Sequence, residues 1–230
     1  MIGLGWLGRA LHALRAIATA LQLRLLALTL AVALVGCGDA TPLTAVPAGS
    51  VVLAFGNSIT FGTGAAGPGE AYPTQLAALS GWQVVNAGIP GDTAAAARER
   101  IDGILEVTRP ALVIVELGGN DFLRRRPEAA VKEDLRAIVT AIKRSGAQVV
   151  LVAVPKFSLL GAATGRLPDS PIYAELAKEE KLPLVAGVLA ETLSDPALKA
   201  DPIHPNADGY RKLADGIAEQ LQRAGLLSQR

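Results

Sequence analysis

Three polar residues have the side chains that acyl transfer requires: Ser58, His204 and Asp201. Ser58 follows an apolar run through Gly56, so its hydroxyl lies at a predicted strand-to-helix turn, where a helix N-terminus can stabilise an oxyanion. The other histidine of the chain, His12, lies in a segment that we expect to be removed. An aspartate that accepts a hydrogen bond from histidine Nδ1–H leaves Nε2 free to act as a base. The pattern therefore favours a serine nucleophile activated by a His–Asp pair.

Two further residues lie where a developing negative charge could be stabilised. Asn120 follows two glycines after a predicted strand and can present an amide donor. Gly88 follows another predicted strand and can offer a backbone N–H with no Cβ in the way. Each of these signals alone is more often structural than catalytic. Their common position at strand ends indicates one site.

Short apolar runs alternate with helical patterns along the chain and would position these residues. Such alternation predicts βαβ units around a parallel sheet, whose sites lie at the carboxyl ends of the strands. The predicted strands are Val51–Phe55, Gln83–Ala87, Ala111–Leu117, Gln148–Val154 and Leu182–Val185. The predicted helices are Tyr72–Leu79, Thr93–Val107, a helix with Pro127 at its first position that closes at Gly146, and a last helix from Asn206 or Ala207 to Arg223.

Composition narrows the class of protein. Hydrophobic residues make up 50% of the 230 residues, whereas aromatic residues make up only 4%, so the core must be aliphatic. Such a core suits buried parallel strands covered by helices. A formal net charge of +1 argues against a nucleic-acid binder. A single histidine and a single cysteine beyond residue 36 make a zinc site implausible.

The N-terminal segment is predicted to be a secretory signal. Residues 1–36 contain three arginines and no acidic residue, and they end in an apolar run from Leu25 to Gly36. As a helix this run would rise only ~18 Å, too little to cross a bilayer core of ~30 Å. Leu34-Val-Gly-Cys37 resembles a bacterial lipobox, which predicts cleavage before Cys37 and lipidation of that residue. A plain signal peptide, or an uncleaved anchor with an incidental Cys37, remains the alternative.

The remainder of the chain is predicted to be a short connection and one domain. Residues 37–50 are rich in small and turn-forming residues and are expected to form a flexible tether. Residues 51–230 are expected to form the domain. The predicted location is the periplasmic face of a bacterial membrane, with a soluble periplasmic or secreted protein as the alternative.

Four ordered blocks resemble the GDSL/SGNH hydrolase superfamily. Gly56-Asn-Ser-Ile-Thr60 is similar to its Gly-Asp-Ser-[Leu/Ile] block, and Asn86-Ala-Gly-Ile-Pro-Gly-Asp-Thr93 to its glycine block. Gly119-Asn-Asp121 and Asp201-Pro-Ile-His-Pro-Asn206 are similar to its asparagine and final blocks. Val115–Asp121 is most similar to the branch of periplasmic arylesterases, acyl-thioesterases and lysophospholipases.

The resemblance implies an α/β fold with three α/β/α layers around a flavodoxin-like parallel five-stranded sheet. It implies that Ser58 is the nucleophile, His204 the base and Asp201 the group that orients the base. The oxyanion hole would comprise Ser58 N–H, Gly88 N–H and the Asn120 side chain. No metal or organic cofactor is implied. The expected protein is a monomer that hydrolyses small acyl esters or thioesters through an acyl-enzyme.

The chain departs from the family at Asn57, where the family has Asp. If that residue only accepts hydrogen bonds that hold the turn, Asn can largely replace Asp. Two other functions are compatible with these residues. One is a carbohydrate O-acetylesterase acting on cell-wall polysaccharide, and the other is a non-catalytic lipoprotein that binds through the same fold. The intact set of Ser58, Asn120, Asp201 and His204 argues against the non-catalytic protein.

Overall fold

The structure is a computed structural model that describes residues 43–156 and 167–228. Within these residues, strands and helices alternate as the sequence predicts. The strands are β1 (Val51–Gly56), β2 (Gln83–Gly88), β3 (Leu112–Glu116), β4 (Gln148–Val152) and β5 (Leu184–Val185). The helices are α1 (Ser58–Phe61), α2 (Tyr72–Ser80), α3 (Ala94–Thr108), α4 (Gly119–Leu123), α5 (Glu128–Arg144), α6 (Pro171–Glu180), α7 (Val188–Ser194) and α8 (Ala207–Arg223). Short 3₁₀ turns occupy Pro68–Glu70 and Pro196–Leu198.

The strands form one parallel sheet in the order β2-β1-β3-β4-β5. This is the flavodoxin-like order, in which the site lies where the direction of winding reverses. At the carboxyl end of the sheet, Gly56 of β1 is in register with Gly88 of β2 and Glu116 of β3. The predicted five-stranded parallel sheet is confirmed, and its register brings the three strand ends with candidate site residues side by side.

Helices cover the sheet in two groups. In one group α3 packs against α5 and α5 packs against α6, whereas in the other α2 packs against α8 and α8 against α7. The middle strand β3 is buried along its whole length, as a strand covered on both faces must be. The predicted three-layer α/β/α architecture is confirmed, and its core is mainly aliphatic.

The boundaries of several elements differ from the sequence predictions. Pro127 is the N-cap residue of α5 rather than its first helical residue, and Gly146 lies beyond the helix end with φ +86°. A strand-to-helix turn was predicted at Ser58, but no bounds were predicted for α1, and α4 was missed. Each is a single turn directly after a strand and is too short to show a helical period. Helices α6 and α7 were also missed.

The predicted tether at residues 37–50 is wrong for the part that the structure describes. Val46 is buried, and its N–H donates to Leu226 O at 2.8 Å. The buried indole N–H of Trp82 donates to Val46 O at 3.0 Å, and the Gln148 side chain binds the backbone of Thr44. A buried indole N–H needs an acceptor, and this segment supplies it. The predicted signal (1–36) and the lipidation site Cys37 lie outside the described residues.

In the described part of the chain, none of the helices combines the length and apolar character needed to cross a membrane.

Candidate active site

The turn after β1 presents Ser58 as the first residue of α1. Asn57 caps this helix, and its Oδ1 accepts the N–H of Ile59 at 2.9 Å. Gly56 leaves no room for a side chain, because a Cβ there would lie 2.6 Å from Glu116 O and closer still to Thr60 Oγ1. Gly56 therefore lets the turn from β1 into α1 lie close against the end of β3, and Asn57 caps the helix that begins at Ser58.

The structure brings Ser58, His204 and Asp201 into one hydrogen-bonded row. His204 Nε2 lies 2.9 Å from Ser58 Oγ, and His204 Nδ1 lies 2.7 Å from Asp201 Oδ2. Asp201 Oδ1 accepts the backbone N–H groups of Ile203 and His204 at 2.8 and 2.9 Å. Partial burial disfavours the charge on Asp201, but hydrogen bonds from the His204 ring and from the backbone outweigh it, so the pKa of Asp201 lies below its ordinary value.

The loop before α8 holds His204 in place. The N–H of Ala200 donates to His204 O at 3.0 Å, and the N–H of Asn206 donates to Leu198 O at 2.9 Å. Asn206 also caps α8, because its Oδ1 accepts the N–H of Gly209 at 3.0 Å. The loop is therefore tied at both sides of the histidine, which limits the positions that the ring can take.

Asn120 lies in α4, at the end of β3, and lines the same cleft as Ser58 and His204. Its Nδ2 donates one hydrogen bond to Asp92 O at 2.9 Å. An amide nitrogen carries two hydrogens, so a second donor remains for another acceptor. The structure thus places Asn120 where the sequence predicts it, with its amide fixed by the loop after β2.

Gly88 does not have the role that the sequence predicted. Its N–H donates to Asn86 Oδ1 at 2.9 Å and is therefore already engaged. A Cβ at Gly88 would lie 2.2 Å from Phe61 N and 2.7 Å from Asn57 O. The absence of a side chain serves close packing of β2 against α1. The prediction of Gly88 as an oxyanion donor is corrected on this ground.

Gly91, three residues further on, has the features that Gly88 lacks. It adopts φ +84°, it is exposed, and its N–H has no acceptor among the described residues. The next residue, Asp92, is the one whose carbonyl oxygen holds the Asn120 side chain. The Asn86–Thr93 block contains two glycines, and the sequence prediction assigned the oxyanion donor to the first, Gly88, rather than to the second, Gly91.

Glu116, the last residue of β3, was missed as a site residue. It is buried, and it lines the floor of the cleft with Asn57. Its Oε1 accepts from Asn57 Nδ2 at 3.3 Å, and its Oε2 accepts from Thr60 Oγ1 at 2.9 Å. Desolvation raises the pKa of Glu116 to about 8, although these hydrogen bonds oppose the rise. The sequence feature that could have identified Glu116 is an acidic residue at the end of an otherwise apolar strand.

The cleft beside Ser58 is partly open to solvent and has a cavity volume of about 30 Å³. Its apolar wall contains Leu123, Val154, Leu189, Leu193 and Ile203. In the two described ranges, no three His, Cys, Asp or Glu residues are grouped so that they could hold a metal ion. The cleft therefore combines a hydroxyl–imidazole–carboxylate row, an amide donor and an apolar wall.

The comparison with known proteins gives the family. The family model "GDSL-like Lipase/Acylhydrolase" matches residues 54–212. The thioesterase 1/protease 1/lysophospholipase L1 of Escherichia coli (strain K12) is 38% identical over 149 residues, which cover 61% of this chain and 70% of that protein. An arylesterase of Vibrio mimicus is 30% identical over 141 residues, covering 60% and 69%.

A solved structure agrees with this assignment. The crystal structure of TesA superposes with a TM-score of 0.67 at 29% identity, over 76% of this chain and 99% of that one. The matched family region contains Ser58, Asn120, Asp201 and His204. The chain belongs to the GDSL-like lipase/acylhydrolase family, and it is a carboxylic ester hydrolase with the SGNH fold.

Proposed function

We propose that the protein hydrolyses small acyl esters or thioesters through an acyl-enzyme formed on Ser58. The row from Ser58 Oγ to His204 Nε2 (2.9 Å) and from His204 Nδ1 to Asp201 Oδ2 (2.7 Å) carries this proposal. These are hydrogen-bond distances suited to transfer of the serine proton to the imidazole. Asp201 holds the ring in the tautomer whose Nε2 accepts that proton, and it stabilises the imidazolium that forms.

The reaction proceeds in two halves. Ser58 Oγ attacks the acyl carbonyl carbon as its proton passes to His204 Nε2, and the carbonyl oxygen becomes an oxyanion. Collapse of this intermediate breaks the bond to the alcohol or thiol, which leaves with the proton from His204. A water molecule then attacks the acyl-enzyme with His204 as base, and the acid is released as Ser58 recovers its proton.

We propose Gly91 in place of Gly88 as the backbone donor at the oxyanion. The unengaged N–H of Gly91 and its position next to Asp92, which holds Asn120, support this choice. The N–H of Ser58 at the N-terminus of α1 and the second hydrogen of the Asn120 amide complete the set. Donors fixed before the reaction stabilise the charge without the cost of reorienting solvent.

The apolar wall supports an acyl chain as the group that is transferred to Ser58. Leu189 and Leu193 of α7, together with Ile203, offer hydrocarbon surface beside the serine. A thioesterase/lysophospholipase and an arylesterase among the relatives accord with acyl esters and thioesters as substrates. The leaving group is best identified by a panel of aryl esters, acyl thioesters, a lysophospholipid and an acetylated glycan.

A fluorophosphonate probe tests the serine mechanism directly. We expect one adduct, on Ser58, because only an activated serine attacks such phosphorus centres at neutral pH. The Ser58→Ala variant should remain unlabelled and inactive, whereas Ser80→Ala, which removes a buried hydroxyl bonded to Leu76 O, should be labelled as the wild type is. Peptide mapping that places the adduct elsewhere, or a folded wild type without any adduct, would overturn the proposal.

We further propose that the protein is exported and held at the membrane by a lipid on Cys37. The basic and apolar residues of 1–36 and the motif Leu34–Cys37 support this proposal. Cys37→Ser should release the protein from the membrane fraction with esterase activity intact. Retention of that variant in salt-washed membranes would contradict lipid anchoring at Cys37.

A further inference from the structure

Buried polar side chains form a network beneath the turn that carries Ser58. Glu116 Oε1 accepts from Asn57 Nδ2, and Glu116 Oε2 accepts from Thr60 Oγ1. Thr60 Oγ1 also lies 3.1 Å from Tyr72 OH. Glu116, Asn57, Thr60 and Tyr72 are each at most 2% exposed. One carboxyl group thus contacts the residue before Ser58 and the residue two positions after it.

The network continues from the carboxyl group to the backbone of the turn. Asn57 uses both ends of its amide: Nδ2 donates to Glu116, while Oδ1 accepts the N–H of Ile59. A shift of the Glu116 carboxyl group would move the Asn57 amide and loosen the cap of α1. Ser58 lies between Asn57 and Ile59, which this hydrogen bond joins, so a shift of the turn would move Ser58 Oγ relative to His204 Nε2.

We propose that Glu116 is a positioning residue for the nucleophile, acting through Asn57 and Thr60 to hold Ser58 Oγ at its hydrogen-bond distance from His204. The proposal rests on the proposed role of Ser58 as nucleophile. Glu116 acts through its neighbours, since its two oxygens are hydrogen-bonded to Asn57 and Thr60 rather than to Ser58 or His204. A change in position of less than 1 Å at a reacting atom is enough to slow a reaction substantially.

The groups around Glu116 determine how this carboxyl group responds to a change at residue 57. The titratable groups near Glu116 include the phenols of Tyr72, Tyr173 and Tyr210, which carry no positive charge. His204 lines the same cleft, and it is hydrogen-bonded to Ser58 and Asp201. The amide of Asn57 donates to Glu116 whether or not that carboxyl group is protonated.

An aspartate at position 57 would behave differently. Asn57→Asp places two carboxyl groups where 3.3 Å now separates Nδ2 and Oε1. Such a pair holds one proton between its members and resists losing it. Since desolvation already raises the pKa of Glu116 to about 8, the pair loses its last proton only at more alkaline pH. The two charges then repel, and the turn is displaced.

A reciprocal exchange of amide and carboxylate tests the proposal. The activity of Asn57→Asp relative to the wild type should fall about tenfold or more between pH 7 and pH 10. The double variant Asn57→Asp/Glu116→Gln restores one donor and one acceptor to the pair, and it should restore the alkaline activity. The readouts are kcat and the rate of fluorophosphonate labelling at Ser58.

Removal of the carboxyl group provides a second test. Glu116→Ala should reduce kcat and the labelling rate about tenfold or more, by the same factor for short and long acyl esters. Glu116→Gln should recover most of this loss, because its amide can still pair with Asn57 and Thr60. Ser80→Ala is the control for loss of a buried hydrogen bond away from Ser58.

The outcomes separate this proposal from the proposed function. Absence of labelling on the wild type overturns both. Two outcomes with a labelled wild type overturn the positioning role alone. One is an Asn57→Asp pH profile of kcat that follows the wild-type profile up to pH 10. The other is an alkaline loss of activity in Asn57→Asp that the added Glu116→Gln substitution does not restore. The positioning role is also overturned if the loss of kcat in Glu116→Ala depends on the length of the acyl chain, since that would indicate that Glu116 contacts the substrate. If Glu116→Ala fails to fold, the reciprocal pair still decides.

Discussion

The guanidinium of Arg100 in α3 forms a 2.7 Å ion pair with the carboxylate of Asp92. The same group donates to Gly56 O at 3.0 Å, and its central carbon lies 4.2 Å from the centre of the Phe55 ring. The carbonyl oxygen of Asp92 accepts the hydrogen bond from the Asn120 side chain, and Gly56 precedes the turn that carries Ser58. Arg100 therefore joins the loop that carries the proposed oxyanion donors to the strand end that carries the nucleophile.

We expect Arg100→Ala to lower kcat about 10–100-fold while KM changes little, because it loosens two halves of one site without touching the acyl pocket. Steady-state kinetics on folded protein would measure this. Arg98→Ala is the matched control, since Arg98 lies on the same helix but pairs with Asp134. Equal losses in the two variants would mean that Arg100 acts only through the stability of α3.

The His–Asp pair gives a graded prediction. His204→Ala removes the base and should lower kcat about 10⁴-fold or more. Asp201→Asn keeps the shape of the side chain but loses the charge that stabilises the imidazolium, so its loss should be large but smaller than that of His204→Ala. Asp208→Asn, an exposed aspartate that pairs with Arg211, is the control. An active His204→Ala enzyme would rule out His204 as the base.

Asn120 should act on the transition state alone. Its amide donates to charge that exists in the tetrahedral intermediate, so Asn120→Ala should lower kcat about 10²–10³-fold, equivalent to about 2.7–4 kcal/mol, with KM nearly unchanged. Steady-state kinetics with an activated aryl ester would measure kcat and KM separately. A rise in KM at constant kcat would instead indicate that Asn120 binds the ground state of the substrate.

The two glycines of the loop after β2 should respond to alanine in different ways. Gly88→Ala forces a Cβ to within 2.2 Å of Phe61 N, so we expect a loss of about 1–3 kcal/mol in the free energy of unfolding. Gly91→Ala meets no atom within 4 Å, and its cost arises only from φ +84°, about 1–2 kcal/mol.

Activity distinguishes the same two variants. Gly91→Ala tilts the proposed oxyanion N–H and should slow turnover more than its modest loss of stability explains. Gly88→Ala should lower kcat because it displaces α1, which carries Ser58, so its loss of activity should accompany its loss of stability. Denaturant unfolding and kcat measured on the same samples would compare them. Greater destabilisation by Gly91→Ala would reverse the assignment of packing and donor roles.

Much of this arrangement could be predicted from the sequence. The apolar runs and the breaks at Gly56, Gly88 and Gly118 located the strand ends, because buried parallel strands are continuous and apolar and their ends are marked by glycine. A parallel sheet brings such ends together, so the proximity of Ser58 and Asn120 followed from topology. His204 was predicted because it is the only histidine outside residues 1–36, the segment that we expect to be removed.

The remaining features depend on contacts that a linear pattern does not encode. Gly88 and Gly91 carry the same side chain, and only the Asn86 hydrogen bond and the close approach of Phe61 distinguish them. Glu116 lies within the predicted strand Ala111–Leu117 and was not predicted as a site residue, because its partners are 56 and 59 residues away in the sequence. The segment around Val46 has the composition of a linker, and its packing depends on the position of Trp82.

The buried carboxyl group of Glu116 should make stability fall with rising pH. In the unfolded chain this group loses its proton near its ordinary pKa of 4.5, whereas in the folded protein the pKa is raised to about 8. Between these values the folded state binds more protons, so the free energy of unfolding decreases as pH rises. A difference of one in pKa is worth about 1.4 kcal/mol, which gives at most about 5 kcal/mol for the whole interval.

The Glu116→Gln variant isolates this contribution, because glutamine does not titrate. The free energy of unfolding of the wild type minus that of Glu116→Gln should be largest near pH 5 and should fall steadily to about pH 8, beyond which it levels off. Urea unfolding at matched ionic strength would provide both curves, and subtraction removes the titration of Asp201 and the surface pairs. A difference that stays constant across this range would show that Glu116 is already ionised in the folded protein at pH 5. A difference that grows between about pH 3 and pH 5 would mean that the carboxylate is stabilised by Asn57 and Thr60 more strongly than desolvation disfavours it.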